Sequence, residues 1–515
     1  MERADTKEMR LDVYSHNVKV SGFTRPGKEV LLEYCRSLAQ YGLTRVGHGR
    51  NSRFVNAMLR VYTAVTADRA EFRFHVHQLN DFLDHLAANG YPKHRLDIHF
   101  HLPKPGAAVA FKMNEKFVPK DYQVPVIDYM VSEGHSKVVT LQTGKGKTFC
   151  ALSATVKLAT RTMLVIKGMY VDKWIEDVKD ALGLKPGELM TVRGSAHLKA
   201  LIQLAQAGEL EAKFIICTNK TMYNFLQTYE KFNGEMADYG CSPAEFYETC
   251  GIGLRIFDEV HQDFHLNYRQ DLYTHVPKTI SLSATLVSDD PFMNKMYGIM
   301  FPQGMRFAGI AYHKYIAATA LTYRFFEPNR VRYKSKGRGS YSHVELEEYL
   351  MKHKDMLQRY FQMIKHIADV TYIRKAVPGQ KLLIFAATVD MCTLLREFLQ
   401  KQYASYKVSR YVSEDEYENL LSSDITVSTV LSAGTAVDVP GLRIVLMTTA
   451  LGSRQANDQA LGRLRELKDW PDITPEFYYL VCLDIEQHLK YHDMKKENFA
   501  DKVLSHNTLA MQFKI

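Results

Sequence analysis

Short apolar runs recur along most of the chain, separated by stretches in which hydrophobic residues follow a helical spacing. Between about 112 and 320, these runs stand at 138–141, 163–166, 214–217, 254–257 and 279–282. Short apolar strands that alternate with helices are typical of a parallel sheet buried on both faces. The pattern restarts later, at 381–385, 425–427, 444–446 and 478–481. The sequence therefore predicts two α/β domains in series.

The regions outside these two domains have other patterns. Residues 1–110 alternate hydrophobic and polar positions with two helical stretches, which predicts a small α+β accessory domain. Pro103, Pro105 and Gly106 then mark a linker. The remaining predicted regions are a first lobe at 111–320, a charged and mostly helical segment at 321–378, a second lobe at 379–485, and a helical tail at 486–515.

Composition narrows the class of protein. Among the 515 residues, 46% are hydrophobic, and no apolar run approaches the roughly 20 residues that would span a bilayer. The polar first residues do not predict a secretory signal, and the seven cysteines form no Cys-x-x-Cys pair. We therefore expect a reducing compartment, the cytoplasm (of the host if the chain is viral), with no membrane and no zinc. The formal charge of +9 fits a polyanionic partner.

The strongest local motif is a glycine–lysine stretch at 142–148, here called the phosphate loop, which follows a predicted strand and precedes a predicted helix. Glycines let consecutive backbone N–H groups face one phosphate, and the helix N-terminus adds positive potential. Lys147 can reach the β- and γ-phosphates, while the Thr148 hydroxyl can bind Mg²⁺. The general pattern has a glycine where Leu141 stands. The predicted nucleotide-binding residues here are Thr143, Gly144, Lys145, Gly146, Lys147 and Thr148.

Two further groups of polar residues follow apolar strands. Asp258 and Glu259 stand after the run at 254–257, and Ser283 and Thr285 stand after the run at 279–282. The carboxyl ends of parallel strands are where α/β sheets bind their ligands. Asp258 is suited to hold Mg²⁺ through water, and Glu259 to polarise an attacking water molecule.

Over about 115–485, these motifs resemble superfamily 2 helicases of the DExH type. The resemblance implies two tandem RecA-like parallel-sheet lobes, ATP and Mg²⁺ as cofactors, and coupling through Ser283 and Thr285. It also implies adenine recognition by Gln123. The implied nucleic-acid contacts are Lys167, Thr218, Thr388 and Thr429.

In the second lobe, the resemblance implies that Gln459 and Arg463 act in catalysis and that Asp438 and Arg465 contact the nucleotide. The second-lobe motifs depart from the family pattern. Ala436 stands where a glycine is usual, and Glu466 stands where a second arginine is usual. Arg463 is therefore the candidate arginine finger.

In its order of domains, the chain resembles the phage UvsW-type recombination helicases. This implies an ATP-dependent DNA helicase or translocase that acts on branched DNA in recombination, repair or replication-fork processing, together with proteins of those pathways. The predicted DNA-contacting loop carries Arg330, Arg332, Lys334, Lys336 and Arg338. An RNA helicase and a non-unwinding DNA translocase subunit of a restriction or remodelling complex are the alternatives. A binding module without ATPase activity would need a broken catalytic residue.

Two strands carry histidines in alternation, His75 with His77 and His99 with His101. Residues two apart on a strand share one face, so pairing of these strands would bring four imidazoles together. A metal site is conceivable there. No carboxylate or cysteine has a matching spacing, which favours a solvated or nucleic-acid-facing surface.

Overall fold

The computed structural model describes residues 7–46, 53–65, 70–142, 144–232, 234, 239–283, 286–288, 290–307, 313–335, 339–375, 377–412, 415–416, 418–433 and 439–515. At 41–46, 53–59, 65, 431 and 433 it describes the backbone only. The chain divides into two compact units. The first comprises Met1–Leu141 and Lys145–Ile310, and the second comprises Gln142–Gly144 and Ala311–Ile515.

The first unit begins with a five-stranded sheet and two helices. Its elements are β1 (Met9–Val13), β2 (Asn17–Ser21), α1 (Arg25–Ser37), β3 (Ala39–Val46), β4 (Arg53–Arg60), β5 (Tyr62–Val65), β6 (Glu71–His75), α2 (Leu79–Ala88) and β7 (Leu96–Phe100). The sheet order is β5-β6-β2-β1-β7, and β3 and β4 form a separate antiparallel pair. The predicted α+β fold of the N-terminal region, with two helical stretches, is confirmed.

The rest of the first unit is a six-stranded parallel sheet with helices. Its elements are α3 (Val124–Val131), β8 (Ser136–Thr140), α4 (Lys147–Leu158), β9 (Thr162–Ile166), α5 (Val171–Leu182), β10 (Leu189–Val192), α6 (Ser195–Ala207), β11 (Phe214–Thr218), α7 (Asn219–Lys231), α8 (Phe246–Thr249), β12 (Leu254–Phe257), α9 (Phe264–Asp271), β13 (Lys278–Ser283) and α10 (Pro291–Met300). The order is β10-β11-β9-β12-β13-β8. The four central strands, β11, β9, β12 and β13, are buried along their full length, as continuous apolar runs predict.

The second unit contains a seven-stranded parallel sheet of order β16-β17-β15-β18-β19-β14-β20. Its elements are β14 (Ala317–Arg324), α11 (His343–Lys352), α12 (Lys354–Thr371), β15 (Lys381–Ala386), α13 (Val389–Gln402), β16 (Val408–Tyr411), α14 (Glu418–Leu421), β17 (Ile425–Thr429), α15 (Val430–Ala433), β18 (Leu442–Met447), α16 (Arg454–Leu461), β19 (Glu476–Cys482), α17 (Glu486–Phe499) and β20 (Ser505–Lys514). The predicted α/β class is confirmed. The tail is helical only over α17 and then adds β20, a strand that the sequence did not predict.

Within the first unit, the N-terminal sheet packs on the parallel sheet through a buried polar network. Asn17 donates hydrogen bonds to the carbonyls of Asp271 (3.2 Å) and Thr274 (2.9 Å). His75 Nε2 lies 3.4 Å from Asp271 Oδ2, and the other oxygen of that carboxylate accepts from the buried Arg255 guanidinium. The hydrophobic core is also continuous across the two sheets. The accessory sheet is therefore fixed to the first lobe.

The pair His75 and His77 does not meet the pair His99 and His101. The strand bearing His75 is separated from the strand bearing His99 by β2 and β1. His77 contacts the Ile299 carbonyl, and His101 contacts Asp12. Among the described residues, no group of three or more His, Cys, Asp and Glu side chains could hold a metal ion. Among all the residues that the structure describes, no helix has the length and apolar character needed to cross a membrane.

Candidate functional site

The phosphate loop lies between β8 and α4, and two of its glycines have positive φ angles. Gly144 has φ +84° and Gly146 has φ +81°, a backbone region that side chains other than glycine seldom adopt. A Cβ atom on Gly146 would lie 2.3 Å from Gln123 Nε2. Helix α4 begins at Lys147 directly after this glycine. The loop thus presents a helix N-terminus, as the motif predicts; Thr143 lies outside the described residues.

Gln123 braces the phosphate loop. Its Nε2 donates to the Lys145 carbonyl at 3.0 Å, and its Oε1 accepts from the Lys120 backbone N–H at 3.0 Å. The Tyr122 hydroxyl donates to the same Lys145 carbonyl at 3.4 Å. These contacts fix the segment before α3 against the loop. Recognition of adenine by Gln123 stays a prediction.

The predicted catalytic carboxylates lie directly after β12, and one of them meets the loop lysine. Lys147 Nζ lies 2.7 Å from Glu259 Oε1, and both side chains are largely buried. The Asp258 carboxylate accepts from the Glu259 backbone N–H (2.9 Å) and from Trp174 Nε1 (2.9 Å). Burial, together with the charge of Glu259, raises the pKa of Asp258 to about 6 against the opposing effects of Lys147 and Trp174. The structure thus brings Lys147, Asp258 and Glu259 together.

His261 and Ser283 connect the neighbouring strand end to this group. His261 Nδ1 lies 2.8 Å from Ser283 Oγ and 3.4 Å from Glu259 Oε2. Burial lowers the pKa of His261 to about 4, which keeps its imidazole neutral at pH 7. The Ser283 carbonyl accepts from the Leu141 backbone N–H at 3.2 Å. Ser283 therefore lies between the carboxylate segment and the strand that leads into the phosphate loop; Thr285 lies outside the described residues.

The three threonines with an implied nucleic-acid role occupy equivalent positions, each between a strand and a helix. The Thr218 and Thr388 hydroxyls accept from the backbone N–H groups of Thr221 and Met391, which caps α7 and α13. Thr429 accepts from the Ser432 backbone N–H in the same way. Thr388 also donates to the buried carboxylate of Glu347 at 2.8 Å. These hydroxyls are thus engaged in local structure, and nucleic-acid contact stays a prediction.

Arg463, implied in catalysis, and Arg465, implied in nucleotide contact, lie after α16 in the second unit. Arg463 is 3% exposed, and its Nε donates to the Gln459 carbonyl at 3.2 Å. Arg465 is half-buried and donates to the carbonyls of Gly462 and Leu464. Asp438 lies outside the described residues. The arginine-finger role of Arg463 stays a prediction.

The basic loop presents its described cations to solvent. Arg330, Arg332 and Lys334 are exposed, and Arg330 pairs with Glu327 at 2.8 Å. Lys334 forms an isolated antiparallel bridge with Tyr341, so the loop closes on itself. Lys336 and Arg338 lie outside the described residues.

Three contacts that the sequence did not predict join the segment after β9 to the segment after β12. Lys167 Nζ lies 3.7 Å from Asp263 Oδ2, Tyr170 donates to Gln262 Oε1 at 3.1 Å, and Trp174 donates to Asp258. These contacts could be anticipated only from the sheet topology, because β9 and β12 are adjacent in the sheet.

These residues fit a magnesium nucleotide. The phosphate loop is narrow where a Cβ on Gly146 would strike Gln123, and it opens on a helix N-terminus that begins with Lys147. The Thr148 hydroxyl and the Asp258 carboxylate are oxygen ligands of the kind that Mg²⁺ prefers.

Comparison with known proteins gives a family match over part of the chain. Residues 116–288 match the family described as "Type III restriction enzyme, res subunit". No curated protein matches the chain.

Several solved structures are similar to the chain at low sequence identity. A fragment of a putative HsdR subunit of a type I restriction enzyme from Vibrio vulnificus YJ016 is 15% identical, with 78% of this chain and 70% of that chain covered and a TM-score of 0.49. S. cerevisiae Dbp5 bound to RNA and ADP BeF3 is 11% identical, with 76% and 90% covered and a TM-score of 0.48. The Pyrococcus furiosus Hef helicase domain is 14% identical, with 73% and 98% covered and a TM-score of 0.43. The family match and the parallel sheets support the coarser part of the resemblance, a fold of the helicase superfamily 2 type.

Proposed function

We propose that this protein is a nucleic-acid-stimulated ATPase that works on DNA as a helicase or translocase. The observation that carries the proposal is the group formed by Lys147, Asp258 and Glu259 at the carboxyl end of a parallel sheet. A lysine that begins a helix after a glycine loop, next to two carboxylates, matches what phosphoryl transfer from a nucleotide requires.

In this proposal, each residue has a defined task. ATP with Mg²⁺ supplies, when bound, the phosphoanhydride bond whose hydrolysis drives the motor. Lys147 neutralises phosphate charge, while Thr148 and Asp258 offer oxygen atoms to the cation. Glu259 orients water and accepts its proton. Because Lys147 pairs with Glu259 at 2.7 Å, a phosphate would compete with this carboxylate for the ammonium group and leave Glu259 available to water.

The second unit supplies the remaining roles. Arg463 is the proposed arginine finger, with Arg465, Gln459 and Asp438 as further nucleotide contacts. A finger acts mainly on the charge that develops in the transition state, so it would affect turnover more than binding.

DNA is the proposed track, and branched or forked DNA in recombination, repair or replication is the finer proposal. The exposed Arg330, Arg332 and Lys334 support contact with a phosphate backbone. The accessory sheet of residues 1–110, which carries more basic than acidic residues, is proposed to hold duplex beside the motor. The proposed domain boundaries are those predicted from the sequence, namely 1–110, 111–320, 321–378, 379–485 and 486–515.

A second candidate is a translocase subunit of a restriction complex, which moves on duplex DNA without separating the strands. The observation that favours it is the match of residues 116–288 to the family described as the res subunit of a type III restriction enzyme.

The test is ATP turnover measured alone and with single-stranded DNA, duplex, forks, four-way junctions and RNA. Lys147→Ala should lower stimulated turnover by at least about a hundredfold while DNA binding persists. Lys157→Ala, on the exposed face of the same helix, is the matched control. Turnover near wild type in Lys147→Ala would end the assignment.

The choice of polynucleotide separates the candidates. ATP turnover that RNA stimulates and DNA does not would identify an RNA helicase. Stimulation by duplex without strand separation would favour the translocase subunit, and stronger stimulation by forks and junctions would support branched DNA.

A further inference from the structure

Three side chains near the β9–α5 junction grip the segment that carries the predicted catalytic carboxylates. Lys167, Tyr170 and Trp174 contact Asp263, Gln262 and Asp258, respectively. The contacts run in reverse order along the two segments, so the ends of segment 258–263 are both held. We call this set of three contacts the clamp.

The gripped segment has a strained backbone. Glu259 has φ +46° and Asp263 has φ +49°, and neither is a glycine. Such residues persist only where surrounding contacts over-determine them. His261, which lies between these two residues in sequence, provides a further anchor because its Nδ1 is 2.8 Å from Ser283 Oγ. The segment therefore depends on its neighbours for the position of Glu259.

The contacts differ in strength along the clamp. Lys167 and Asp263 are 43% and 38% exposed and lie 3.7 Å apart, so their pair is weak and open to competition by another anion. Trp174 is 2% exposed, and its hydrogen bond ends on a carboxylate, which makes it the strongest of the three. Tyr170 lies between them, with a buried ring and a hydroxyl on Gln262. The weak end faces solvent and the strong end faces the proposed catalytic group.

We propose that the clamp transmits nucleic-acid binding to the ATPase site, with Tyr170 and Trp174 as positioning residues for Asp258 and Glu259. The inference rests on the proposed function and names the route of its stimulation. A backbone phosphate that binds Lys167 displaces Asp263 from it. Segment 258–263 then loses its contact at Asp263 but keeps those at Gln262, His261 and Asp258. Its strained residues can adjust, which changes the position of Glu259 relative to Lys147.

Tryptophan fluorescence tests this route without any nucleotide. The chain has two tryptophans, and the second, Trp470, lies in the second unit. In a Trp470→Phe protein, Trp174 is the sole tryptophan and reports directly on its hydrogen bond to Asp258. An oligothymidylate of about 20 nucleotides should shift or quench its emission. Lys167→Ala in this background should abolish the change, and Lys179→Ala, an exposed lysine on α5, should preserve it.

Stimulated turnover gives a second measurement in the unmodified tryptophan background. Tyr170→Phe removes one hydroxyl and keeps the packed ring, so the fold should persist. The ratio of oligothymidylate-stimulated to basal kcat should fall about three- to tenfold, the range expected for one lost hydrogen bond. The oligothymidylate affinity should change less than this ratio.

The outcomes separate the inference from the proposed function. If no polynucleotide stimulates the wild-type protein, the proposed function fails. If the wild type is stimulated but Trp174 emission stays constant on binding and Tyr170→Phe keeps full stimulation, the clamp does not transmit binding and the inference is overturned.

Discussion

Removal of the Asp271 carboxylate should destabilise the first unit strongly, because it leaves a buried charge unpaired. Arg255 is 0% exposed and Asp271 is 2% exposed. The guanidinium of Arg255 also donates to Thr274 Oγ1 at 2.6 Å, Thr279 Oγ1 at 3.2 Å and the Tyr247 hydroxyl at 3.5 Å. Because Arg255 is fully buried, bulk solvent cannot take the place of its carboxylate partner. Loss of one partner of such a pair costs about 3–5 kcal/mol.

Equilibrium urea unfolding of Asp271→Ala measures this cost directly. The matched control is Asp172→Ala, which removes the carboxylate of an exposed arginine pair with Arg193 and should cost less than about 1 kcal/mol. The double replacement Arg255→Met with Asp271→Leu should recover much of the loss, since no charge then remains buried. A loss below about 1 kcal/mol in Asp271→Ala, or a double variant no more stable than the single, would refute the reasoning.

The pH dependence of the stability that Asp271 contributes to the fold has a definite sign. Burial alone would raise the pKa of Asp271, but the Arg255 guanidinium and the His75 contact hold it below its usual range. A carboxyl with a depressed pKa stabilises the fold above its unfolded pKa of about 3.9 and loses this contribution as pH falls through its folded value. The stability difference between wild type and Asp271→Asn should therefore be constant near neutrality and shrink in acid. A constant difference throughout the acid range would contradict this.

Three further predictions concern the proposed motor. Glu259→Gln keeps the side-chain shape but cannot accept a proton, so turnover should fall more than about tenfold with ATP binding retained in a filter assay; a smaller fall would exclude Glu259 as the base. Arg463→Ala should lower kcat far more than ATP affinity, and a larger loss from Arg465→Ala would move the finger to that residue. Arg332→Ala should flatten the plot of log affinity for DNA against log salt by about 0.7–0.9, and an unchanged slope would mean that Arg332 contacts no phosphate.

The sequence predicted most strands inside the two parallel sheets, together with the edge strand β8. It missed the edge strands β10, β16 and β20 and the interior strand β14. The runs at 163–166 and 214–217 are continuous and apolar, and both fall within strands of the first lobe. By contrast, β10 is mostly half-buried, and β20 is largely exposed at the edge of the second sheet. An edge strand needs no continuous apolar run, so its pattern resembles that of a loop or a tail. The missed edge strands thus share one physical cause, which does not apply to β14 because it lies between β19 and β20.

Local motifs were predictable, whereas contacts between segments were not. Lys147 and Glu259 each stand in a motif of consecutive residues, so their roles could be proposed from order alone. The contact of Trp174 with Asp258 depends on adjacent strands and on the turn of α5. Thr218 shows a different limit, because a threonine between strand and helix suits both a helix cap and a phosphate contact. Residue type cannot separate these two roles.

The segment that follows the accessory sheet was predicted to be a linker, but it packs against the first lobe. Pro103, Pro105 and Gly106 predicted a linker, yet the segment that follows is hydrogen-bonded to the first lobe: Ala107 N–H donates to the Gly251 carbonyl at 2.7 Å, and Val109 N–H donates to the Ala159 carbonyl at 3.0 Å. A Cβ on Gly106 would lie 2.2 Å from the Gly253 backbone nitrogen, so the two backbone segments are in close contact there.

Deletion of residues 1–110 is therefore an unsuitable test of DNA binding by the accessory sheet. The deletion would remove His75 and Asn17 from Asp271 and its neighbours, and it would expose a core that is continuous across both sheets. Apolar surface and polar groups that lose their partners both destabilise a fold, so any loss of binding would follow from the damaged lobe. Single replacements of exposed cations avoid this difficulty. Lys7→Ala, outside the buried network, should lower junction affinity if the sheet grips DNA, and unchanged affinity together with an unchanged salt slope would argue that Lys7 contacts no DNA.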